Sequence, residues 1–442
     1  MTYDVIVCGA GPSGLNAAIS AKRNGANVLL IESSGLVGGN MTTSLVAPWM
    51  TFHKNGNQII KGIAQELIDK MIDRGFSKGH IVDPLGFCET ITPVDIEGVK
   101  QVLFDMVIDE GIDVLLHSFV YDVILEDNHI VGVKTISKSG TETYTSKTII
   151  DATGDGDIAA LANCEHILGR TKDGLTQPLT SIFQVGNVDI ERLKIAVWEN
   201  QSDFVLRANY DYEYLAISGF FEKVKTAKDN KDLNIPRDRV LLFEEVREGY
   251  VSVNMTRVQK KSAIDVHQLT EAELKVRKQI KEVFNFLKNY IPGFENSFIS
   301  STPSKIGVRE TRHIIGQYLL TIEDIVSEKE HYDSIALSGF PMDIHSPDSN
   351  TLELDSKVIN KPIQIPLRSL IPTSVKGLII SGRCISATHE VCAAIRVIPT
   401  VMAIGEAAGV LAAIASQKSV APDEVSYIEV QKRLEKQNQI IR

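Results

Sequence analysis

The sequence has no pair of cysteines at Cys-x-x-Cys spacing. Its 442 residues contain five cysteines, each isolated from the others: Cys8, Cys88, Cys164, Cys384 and Cys392. Because a redox dithiol or a structural zinc site needs closely spaced cysteines, neither is expected. Isolated cysteines are typical of reduced, buried thiols, so we predict a cytoplasmic protein that holds no metal ion.

An excess of positive charge is also absent. The chain carries 46 lysines and arginines against 56 aspartates and glutamates, which gives a net charge of −10. Proteins that bind nucleic acid usually present a basic surface. The charge balance therefore argues against a nucleic-acid partner.

Two features that mark secreted or membrane proteins are missing. Residues 1–4 contain no basic n-region, so no signal peptide is predicted. The longest apolar region, Ile398–Ala415, is interrupted by Glu406 and is rich in glycine and alanine. This composition predicts a buried helix rather than a membrane span, and hence a protein without a membrane partner.

The first positive signal is a glycine motif, G-x-G-x-x-G, in the stretch VIVCGAGPSG near the N-terminus. A strand is predicted before it at residues 3–8, a helix after it at 12–23 and a second strand at 27–31. A βαβ unit of about thirty residues is the context in which this motif binds a dinucleotide. Gly9 allows the tight turn, Gly11 lets the backbone approach a pyrophosphate, and Gly14 lets the helix pack against the strand.

Glu32 stands at the end of the second predicted strand. A carboxylate at this place accepts hydrogen bonds from the adenosine ribose and disfavours the 2′-phosphate of NADP. The N-terminus of the helix offers free N–H groups and the positive end of the helix dipole to the pyrophosphate. These residues predict a site for an adenine dinucleotide without a 2′-phosphate.

Segments far along the chain favour FAD over NAD. The turn Gly38-Gly39-Asn40 follows the second strand, and DATGDGD at residues 151–157 combines a strand end with a turn. Near the C-terminus, Pro399 suits the first position of a long helix. The N-terminus of that helix would stabilise negative charge on a reduced flavin. NAD alone would not need a segment from the far end of the chain.

The order of predicted elements indicates two interlaced domains, as the length also favours. Strands between residues 114 and 150, separated by turns at Asp127-Asn128 and Ser139-Gly140, predict a β-meander. Charge rises and glycine falls between about residues 189 and 350. We predict a discontinuous nucleotide-binding domain at residues 1–48, 95–185 and 355–442, and an inserted domain at 49–94 and 186–354.

An ordered set of motifs carries a resemblance to a known family. The set comprises CGAGPSG, DATGDGDIAALA, VSVNMTRV, GVRETRHIIGQYLLTIED, ISGRCISATHE, IRVIPTVMAIGEAAGVLAA and the DIH of Asp343–His345. Over nearly its whole length the chain resembles the FAD-dependent oxidoreductases of the glutathione-reductase-like superfamily, in the FAD_oxidored family. The resemblance implies an α/β fold with a Rossmann-like, glutathione-reductase-type FAD-binding domain, a β-meander and an inserted α+β substrate domain.

The resemblance also implies the cofactor, FAD, and the residues that contact it. Val120 would face the adenine through its main chain, and Arg383 and the segment around Gly405 would line the flavin end. The implied contacts are Gly9, Gly11, Pro12, Ser13, Gly14, Glu32, Ser33, Gly39, Asn40, Val120, Ala152, Thr153, Gly154, Arg383, Gly405, Glu406 and Ala407.

Two departures from relatives refine this expectation. Relatives with covalently bound flavin carry a histidine beside the di-glycine turn, and the stretch GGNMTTS has none. We therefore expect noncovalent FAD. Disulfide reductase relatives carry a second nucleotide-binding loop and a cysteine pair. Both are absent here, which argues against nicotinamide-driven disulfide chemistry.

Histidines and arginines supply the candidate catalytic groups. An arginine cluster suits a carboxylate substrate or the anion of a reduced flavin. His389, just after the Gly-Arg turn, is the first choice for acid–base work beside the flavin. For each candidate, a structural ion pair is the competing interpretation, and Asp155 and Asp157 are interpreted as turn and cap residues. The predicted catalytic residues are His389, Arg309, Arg396 and His345, and further candidates are His53, Arg257 and Arg312.

The predicted function is hydride transfer between noncovalent FAD and a small organic substrate. The motifs leave the electron donor or acceptor open, and a homo-oligomer is possible. Two alternatives remain on the same fold. One is a tRNA-modifying flavoprotein resembling the glucose-inhibited division protein, which would need a basic surface. The other is a thiazole-synthase-like enzyme that consumes NAD.

Overall fold

A computed structural model describes residues 2–210, 213–348 and 359–442. Within these residues the chain forms eleven helices: α1 (Pro12–Arg23), α2 (Gly62–Asp73), α3 (Ile96–Asp109), α4 (Asp157–Leu161), α5 (Ile190–Glu199), α6 (Phe221–Asp229), α7 (Val266–Tyr290), α8 (Ile322–Val326), α9 (His389–Ile395), α10 (Ile398–Lys418) and α11 (Tyr427–Lys436).

The same residues form twenty-one strands, most of them short: β1 (Thr2–Cys8), β2 (Val28–Ile31), β3 (Trp49–Met50), β4 (His53–Lys54), β5 (Asn57–Gln58), β6 (Ile81–Val82), β7 (Thr90–Thr92), β8 (Asp113–Leu115), β9 (Phe119–Glu126), β10 (His129–Ser137), β11 (Gly140–Asp151), β12 (His166–Leu168), β13 (Phe183–Gly186), β14 (Ala216–Gly219), β15 (Val240–Glu244), β16 (Val251–Val253), β17 (Phe298–Ser301), β18 (Arg312–Ile314), β19 (Ser334–Ser338), β20 (Ile363–Pro366) and β21 (Leu378–Ile380).

The main sheet has seven strands in the order β8-β2-β1-β11-β10-β9, with β21 also paired to β11. Strands β8, β2, β1, β11 and β21 are parallel, as in a Rossmann-like fold. The twelve-residue β11 serves both parts of the sheet: its first half pairs antiparallel with β10, and its last three residues pair with β21. The predicted β-meander is therefore present as β9, β10 and β11, and β11 joins it to the parallel sheet.

The glycine motif forms the junction between β1 and α1. Gly9 has a φ of +99°, and a Cβ there would lie 2.5 Å from the carbonyl oxygen of Ala152. A Cβ at Gly14 would overlap the carbonyl oxygen of Gly9. Both positions therefore exclude a side chain, and they bring α1 close to β1 and to the end of β11.

Helix α10 lies against α1 through small residues. A Cβ at Gly405 would overlap the carbonyl oxygen of Ser13, and one at Gly409 would overlap that of Ala17. The hydroxyl of Ser20 donates a hydrogen bond of 2.8 Å to the carbonyl oxygen of Glu406. By length and composition α10 could span a membrane, but its most apolar stretch is entirely buried inside the protein. That burial is what the sequence predicts for a core helix.

A second sheet lies further along the chain, in the order β14-β15-β16-β13-β17. Its apolar side chains pack with the long helix α7 in a hydrophobic cluster that includes Phe183, Val253, Val283, Phe286 and Phe294. The N-terminus of α7 is capped by the carboxylate of Asp265, which accepts hydrogen bonds from two backbone N–H groups. This cluster is distinct from the larger one that surrounds the main sheet.

Residues 49–94, which the sequence predicts to belong to the inserted domain, include a helix that packs in the core around the main sheet. Helix α2 contributes Ile63, Leu67, Ile68 and Met71 to the cluster around the main sheet. The backbone N–H of Ile63 also donates 3.0 Å to a carboxylate oxygen of Glu406 in α10. Helix α2 shares the core of the first sheet because its apolar face covers α1 and α10, whereas Leu85, Cys88 and Ile91 pack in a separate cluster with residues of β14 and β15. Residues 314–344 likewise contribute to that core.

Candidate active site

A cavity of about 830 Å³ opens at the carboxyl ends of β1, β2, β11 and β21. Its volume lies near the top of the ~300–1,000 Å³ range of small-molecule sites. One wall comes from the loops of the main sheet, and the facing wall comes from the second sheet, the start of α7 and residues 305–312. In open α/β sheets, ligands bind at this edge.

The glycine loop presents backbone to this cavity. Among the described residues, no side chain caps the N-terminus of α1, whose N-cap residue is Gly11. A Cβ at Gly11 would meet no described heavy atom within 4 Å, so the space beside it is open. The hydroxyls of Ser13 and Ser381 lie 2.6 Å apart and connect the loop to the end of β21. Free N–H groups at a helix N-terminus fit a pyrophosphate.

Glu32 lies at the other side of this loop and is 9% exposed. One carboxylate oxygen accepts 2.9 Å from the N–H of Ala10, and the other accepts 2.8 Å from the N–H of Ser34. The hydroxyl of Ser33 donates a third hydrogen bond of 3.2 Å. A carboxylate has about four acceptor sites, so one remains for a ribose hydroxyl. Ser33 and Val120 line the same end of the cavity.

The di-glycine turn packs directly on the glycine loop. Gly38 and Gly39 have φ values of +104° and +50°, and a Cβ at Gly39 would lie 2.8 Å from the Cα of Gly11. The turn continues into a short 3₁₀ helix, Gly39–Met41, which brings Asn40 to the cavity wall. Two glycine turns thus meet where a bound dinucleotide would run.

The DATGDGD segment anchors the centre of the cavity. Asp151 is fully buried and accepts hydrogen bonds from the hydroxyl of Thr153 (2.7 Å) and the N–H of Ala159 (2.9 Å). Burial raises the pKa of Asp151 to about 6. Asp155 forms an ion pair with Arg383, so the arginine is held across the turn.

Asp155 and Asp157 do more than end a turn. The hydroxyl of Thr311 donates 2.8 Å to Asp155, and Arg312 lies 2.9 Å from a carboxylate oxygen of Asp157. Both aspartates line the cavity. They therefore connect the DATGDGD turn to the segment that carries Arg309 and Arg312, which the sequence interpretation as turn and cap residues did not anticipate.

Thirteen of the seventeen predicted cofactor contacts line the cavity: Gly9, Gly11, Pro12, Ser13, Glu32, Ser33, Gly39, Asn40, Val120, Ala152, Thr153, Gly154 and Arg383. The other four lie elsewhere. Gly14 packs against Gly9, while Gly405, Glu406 and Ala407 are buried inside α10.

The three α10 residues lie away from the cavity lining for a geometric reason. The cavity is lined by the residues that precede α10 and by its first turn, namely Arg396, Val397, Ile398 and Val401. Gly405 lies seven residues beyond the helix start, which is about 10 Å along the axis at 1.5 Å per residue. Glu406 instead faces α2, and burial raises its pKa to about 8.

Three of the four predicted catalytic residues, Arg309, Arg396 and His345, line the cavity together. Arg309 donates 2.7 Å to the carbonyl oxygen of Pro178 and also bonds the hydroxyl of Thr180. Burial and the neighbouring Arg396 lower the pKa of the Arg309 guanidinium. Its positive charge is thus held in a poorly solvated place.

Asp343 joins the other two groups. Its carboxylate lies 3.0 Å from Nε2 of His345 and 3.3 Å from the guanidinium of Arg396. Burial would raise the pKa of Asp343, but the hydrogen bond from His345 and the charges of Arg396 and Arg309 hold it well below its usual range. Of the DIH motif, only the histidine was predicted to be catalytic. Asp343 pairs with Arg396, which lies 53 residues further along the chain, so no local pattern indicates this contact.

His345 is neutral at ordinary pH. Burial and the charge of Arg309 lower its pKa to about 3. Because Nε2 faces an ionised carboxylate, we assign the proton to Nε2, which donates to Asp343. Nδ1 is then the unprotonated, basic nitrogen.

His389, the first choice from the sequence, does not line the cavity. It begins α9 and is 4% exposed, and its Nδ1 lies 2.8 Å from both carboxylate oxygens of Glu310. The ring therefore lies against Glu310 in the protein interior, outside the cavity lining. Proximity along the chain to the Gly-Arg turn was a misleading signal.

Two other candidates also lie outside the lining, whereas Arg312 is part of it. Nδ1 of His53 is 3.1 Å from the hydroxyl of Thr90, and the Arg257 guanidinium donates 3.0 Å to the carbonyl oxygen of Ser346. In the described parts of the chain, no group of three histidine, cysteine or acidic residues could hold a metal ion.

Asn254 lines the cavity and has a side-chain acceptor that is free to bind a ligand. Its Oδ1 is buried without a hydrogen-bond partner among the described residues. A buried unpaired acceptor in a cavity wall favours a contact with a bound molecule.

A family model, FAD dependent oxidoreductase, matches residues 4–434 of the chain. Among curated proteins, the chain is 26% identical over 165 residues to digeranylgeranylglycerophospholipid reductase 1 of Methanococcoides burtonii, covering 34% of this chain and 38% of that protein. It is 29% identical over 191 residues to NADH:fumarate oxidoreductase of Klebsiella pneumoniae, covering 35% of this chain and 20% of that protein. The chain thus spans well under half the length of these relatives.

A solved structure shares the overall fold. The flavoprotein/dehydrogenase from Cytophaga hutchinsonii superimposes with a TM-score of 0.51 at 13% identity, covering 98% of this chain and 82% of that one. With the parallel main sheet, this likeness supports an α/β, Rossmann-like fold.

Proposed function

The chain belongs to the FAD-dependent oxidoreductase family, and on that premise we propose that it binds FAD noncovalently and transfers hydride between the flavin and a small organic acid. One observation carries the proposal: Arg309, Arg396 and the Asp343–His345 pair lie in the same cavity as the glycine loop. We call the part of the cavity lined by these four side chains the substrate end. It shares one space with the cofactor site.

The residues present fit FAD. The uncapped N-terminus of α1, the open space beside Gly11 and the carboxylate of Glu32 suit the pyrophosphate and ribose. No histidine stands beside the Gly38-Gly39 turn, which favours noncovalent binding. Bound FAD supplies a ring system that accepts or donates hydride.

The charge balance of the substrate end favours an anion. Among the described side chains there, the guanidinium groups of Arg309 and Arg396 face one carboxylate, Asp343. The other two lining arginines, Arg312 and Arg383, each have a carboxylate partner of their own. An uncompensated buried charge is costly, so a carboxylate substrate that pairs with Arg309 and Arg396 is favoured.

His345 is the group best placed to hold a proton. Its Nδ1 accepts a proton while Asp343 fixes the ring through Nε2. The charge of Arg309 lowers the pKa of His345, so pairing of Arg309 with an anionic substrate raises that pKa toward the value a general base needs. Substrate binding would then activate the base.

We also propose the finer fold assignment, a glutathione-reductase-type FAD domain with an inserted substrate unit. The second sheet and α7, with their own hydrophobic cluster, support it.

The partners in this proposal are the small substrate and an electron donor or acceptor, in the cytoplasm, without nucleic acid or membrane. A homo-oligomer remains compatible with the fold.

The first test identifies the ligand. The purified protein is precipitated with acid, and the supernatant is examined by mass spectrometry. Intact FAD in the supernatant supports the proposal. Flavin that stays with the pellet would contradict noncovalent binding, and an adenylated fragment of NAD would favour the thiazole-synthase-like alternative.

The second test assigns the reaction. The visible absorbance of the bound flavin is followed without oxygen while NADH, NADPH and then small organic acids are added. Bleaching by one acid, with release of its oxidised form, supports the proposal in the oxidising direction. Bleaching by a nicotinamide, followed by reoxidation with an unsaturated acid, supports the reducing direction. Flavin that exchanges hydride with no acid in either direction would overturn it.

A further inference from the structure

A buried carboxylate lies directly behind the substrate end of the cavity. In the segment GVRETR, Arg309 and Arg312 line the cavity, whereas Glu310 between them is 0% exposed. Nε2 of His313 lies 3.1 Å from Glu310, and Nδ1 of His389 lies 2.8 Å from it. The proposed chemistry uses none of these three groups.

Glu310 is ionised in this environment. Burial would raise its pKa, but the hydrogen bonds from His313 and His389 outweigh burial and lower it to about 2. An ionised carboxylate only accepts hydrogen bonds, so both imidazole nitrogens facing it carry a proton. A buried charge with two imidazole donors is a rigid anchor, because removal of any partner leaves a buried polar group unpaired.

The anchor connects to the cavity through Gln177. The backbone N–H of Gln177 donates 2.8 Å to Glu310. The side-chain oxygen of Gln177 lies 3.4 Å from the guanidinium of Arg396 and 3.5 Å from the N–H of His345. The next residue, Pro178, accepts the hydrogen bond from Arg309. Glu310 is therefore connected through residues 177 and 178 to three groups of the substrate end: Arg309, His345 and Arg396.

We infer that Glu310 is a positioning residue that sets the anion-binding geometry of Arg309 and Arg396 through residues 177 and 178. His313 and His389 stabilise its charge and are not acid–base catalysts. This inference rests on the proposed binding of an acidic substrate. It predicts that loss of the Glu310 charge weakens anion binding without loss of FAD.

The test measures binding of malonate to the FAD-loaded protein by the perturbation of the flavin absorbance. For Glu310→Gln, we expect FAD content to be retained and the malonate Kd to rise about tenfold or more, as for loss of a charged hydrogen bond. Asp333→Asn is the matched control: Asp333 is 1% exposed and paired with Arg368, outside the cavity lining. Its Kd should stay within about twofold of wild type.

A second variant keeps the test decisive if Glu310→Gln does not fold. Gln177→Ala removes the acceptor for Arg396 and should raise the malonate Kd about three- to tenfold. Combined with Glu310→Gln, it should add little, because the two residues act along one path. An unchanged Kd in either folded variant would overturn the inference. Wild-type protein that binds no malonate would instead overturn the acidic-substrate proposal, and the inference with it.

Discussion

The two ends of the cavity are built differently, and each would bind its proposed ligand by different means. At the dinucleotide end, most of the lining is backbone: two glycine turns and an uncapped helix N-terminus surround the space. Glu32 is the charged side chain placed to bind the ribose there. At the substrate end, charged and polar side chains from three separate segments converge, namely Arg309, the Asp343–His345 pair and Arg396. The conformation of a turn is determined by residues adjacent in the sequence, whereas the meeting of distant side chains depends on how separate segments pack.

The largest effect is expected from breaking the backbone geometry of the dinucleotide end. In Gly14→Ala, the new Cβ would overlap the carbonyl oxygen of Gly9, so α1 must move away from β1. We expect loss of bound FAD and destabilisation by about 3 kcal/mol or more. Flavin content and thermal unfolding measure both.

Gly11→Ala is the control for this prediction. Its φ of −70° suits alanine, and its Cβ would point into open space. The fold should therefore persist while FAD binds more weakly. Equal stability of the two variants would contradict the packing role of Gly14.

The next effect concerns the base at the substrate end. His345→Gln keeps a polar side chain but removes the basic nitrogen, so kcat should fall about 10²–10⁴-fold with FAD content unchanged. His389→Gln is the comparison, because His389 lies outside the cavity. A larger loss of kcat in His389→Gln than in His345→Gln would reverse the assignment.

The pH dependence of the same group follows from its pKa. In the proposed mechanism the neutral form of His345 is the active base, so kcat/KM should be lost only as pH falls through the pKa of the free protein, about 3. We expect kcat/KM to be flat with respect to this group across the neutral range. A limb near pH 6.5, the ordinary histidine value, in the wild type but not in His345→Gln would contradict the depressed pKa.

A smaller effect is expected at the arginine pair. Arg396→Lys keeps the charge but loses the planar fork that binds a carboxylate, so KM for the acid should rise about tenfold while kcat changes less. Arg368→Lys, which changes an arginine paired with Asp333 outside the cavity lining, serves as control. A KM unchanged by Arg396→Lys would place the acid group elsewhere.

The smallest effect on FAD and substrate binding is expected at Glu406, which belongs to neither end. Its folded-state pKa is raised to about 8, so the folded protein favours the protonated form. Stability should therefore fall as pH rises from about 4.5, the ordinary value, toward 8, by up to about 1.4 kcal/mol per pH unit. Glu406→Gln should flatten this slope, measured by denaturant unfolding, with FAD content unchanged. Loss of FAD in this variant would return Glu406 to the cofactor site.

The two histidines after the second sheet show where sequence reasoning reached its limit. His345 and His389 both follow motif residues, and nothing local separates them. His345 lines the cavity because Asp343 holds its ring and pairs with Arg396. His389 lies in the interior because its ring contacts the buried carboxylate of Glu310. The positions of these partners depend on packing between segments tens of residues apart.

By itself, the sequence determined the βαβ unit, the glycine turns, the β-meander and the family, since each depends on neighbouring residues with fixed spacing. Thirteen predicted cofactor contacts line the cavity for that reason. Only the tertiary structure decided that α2 packs on the first core, that Glu406 faces α2, and that Arg309, Asp343, His345 and Arg396 meet. Such contacts join residues far apart in the chain, and the packing of buried surfaces, rather than local spacing, selects them.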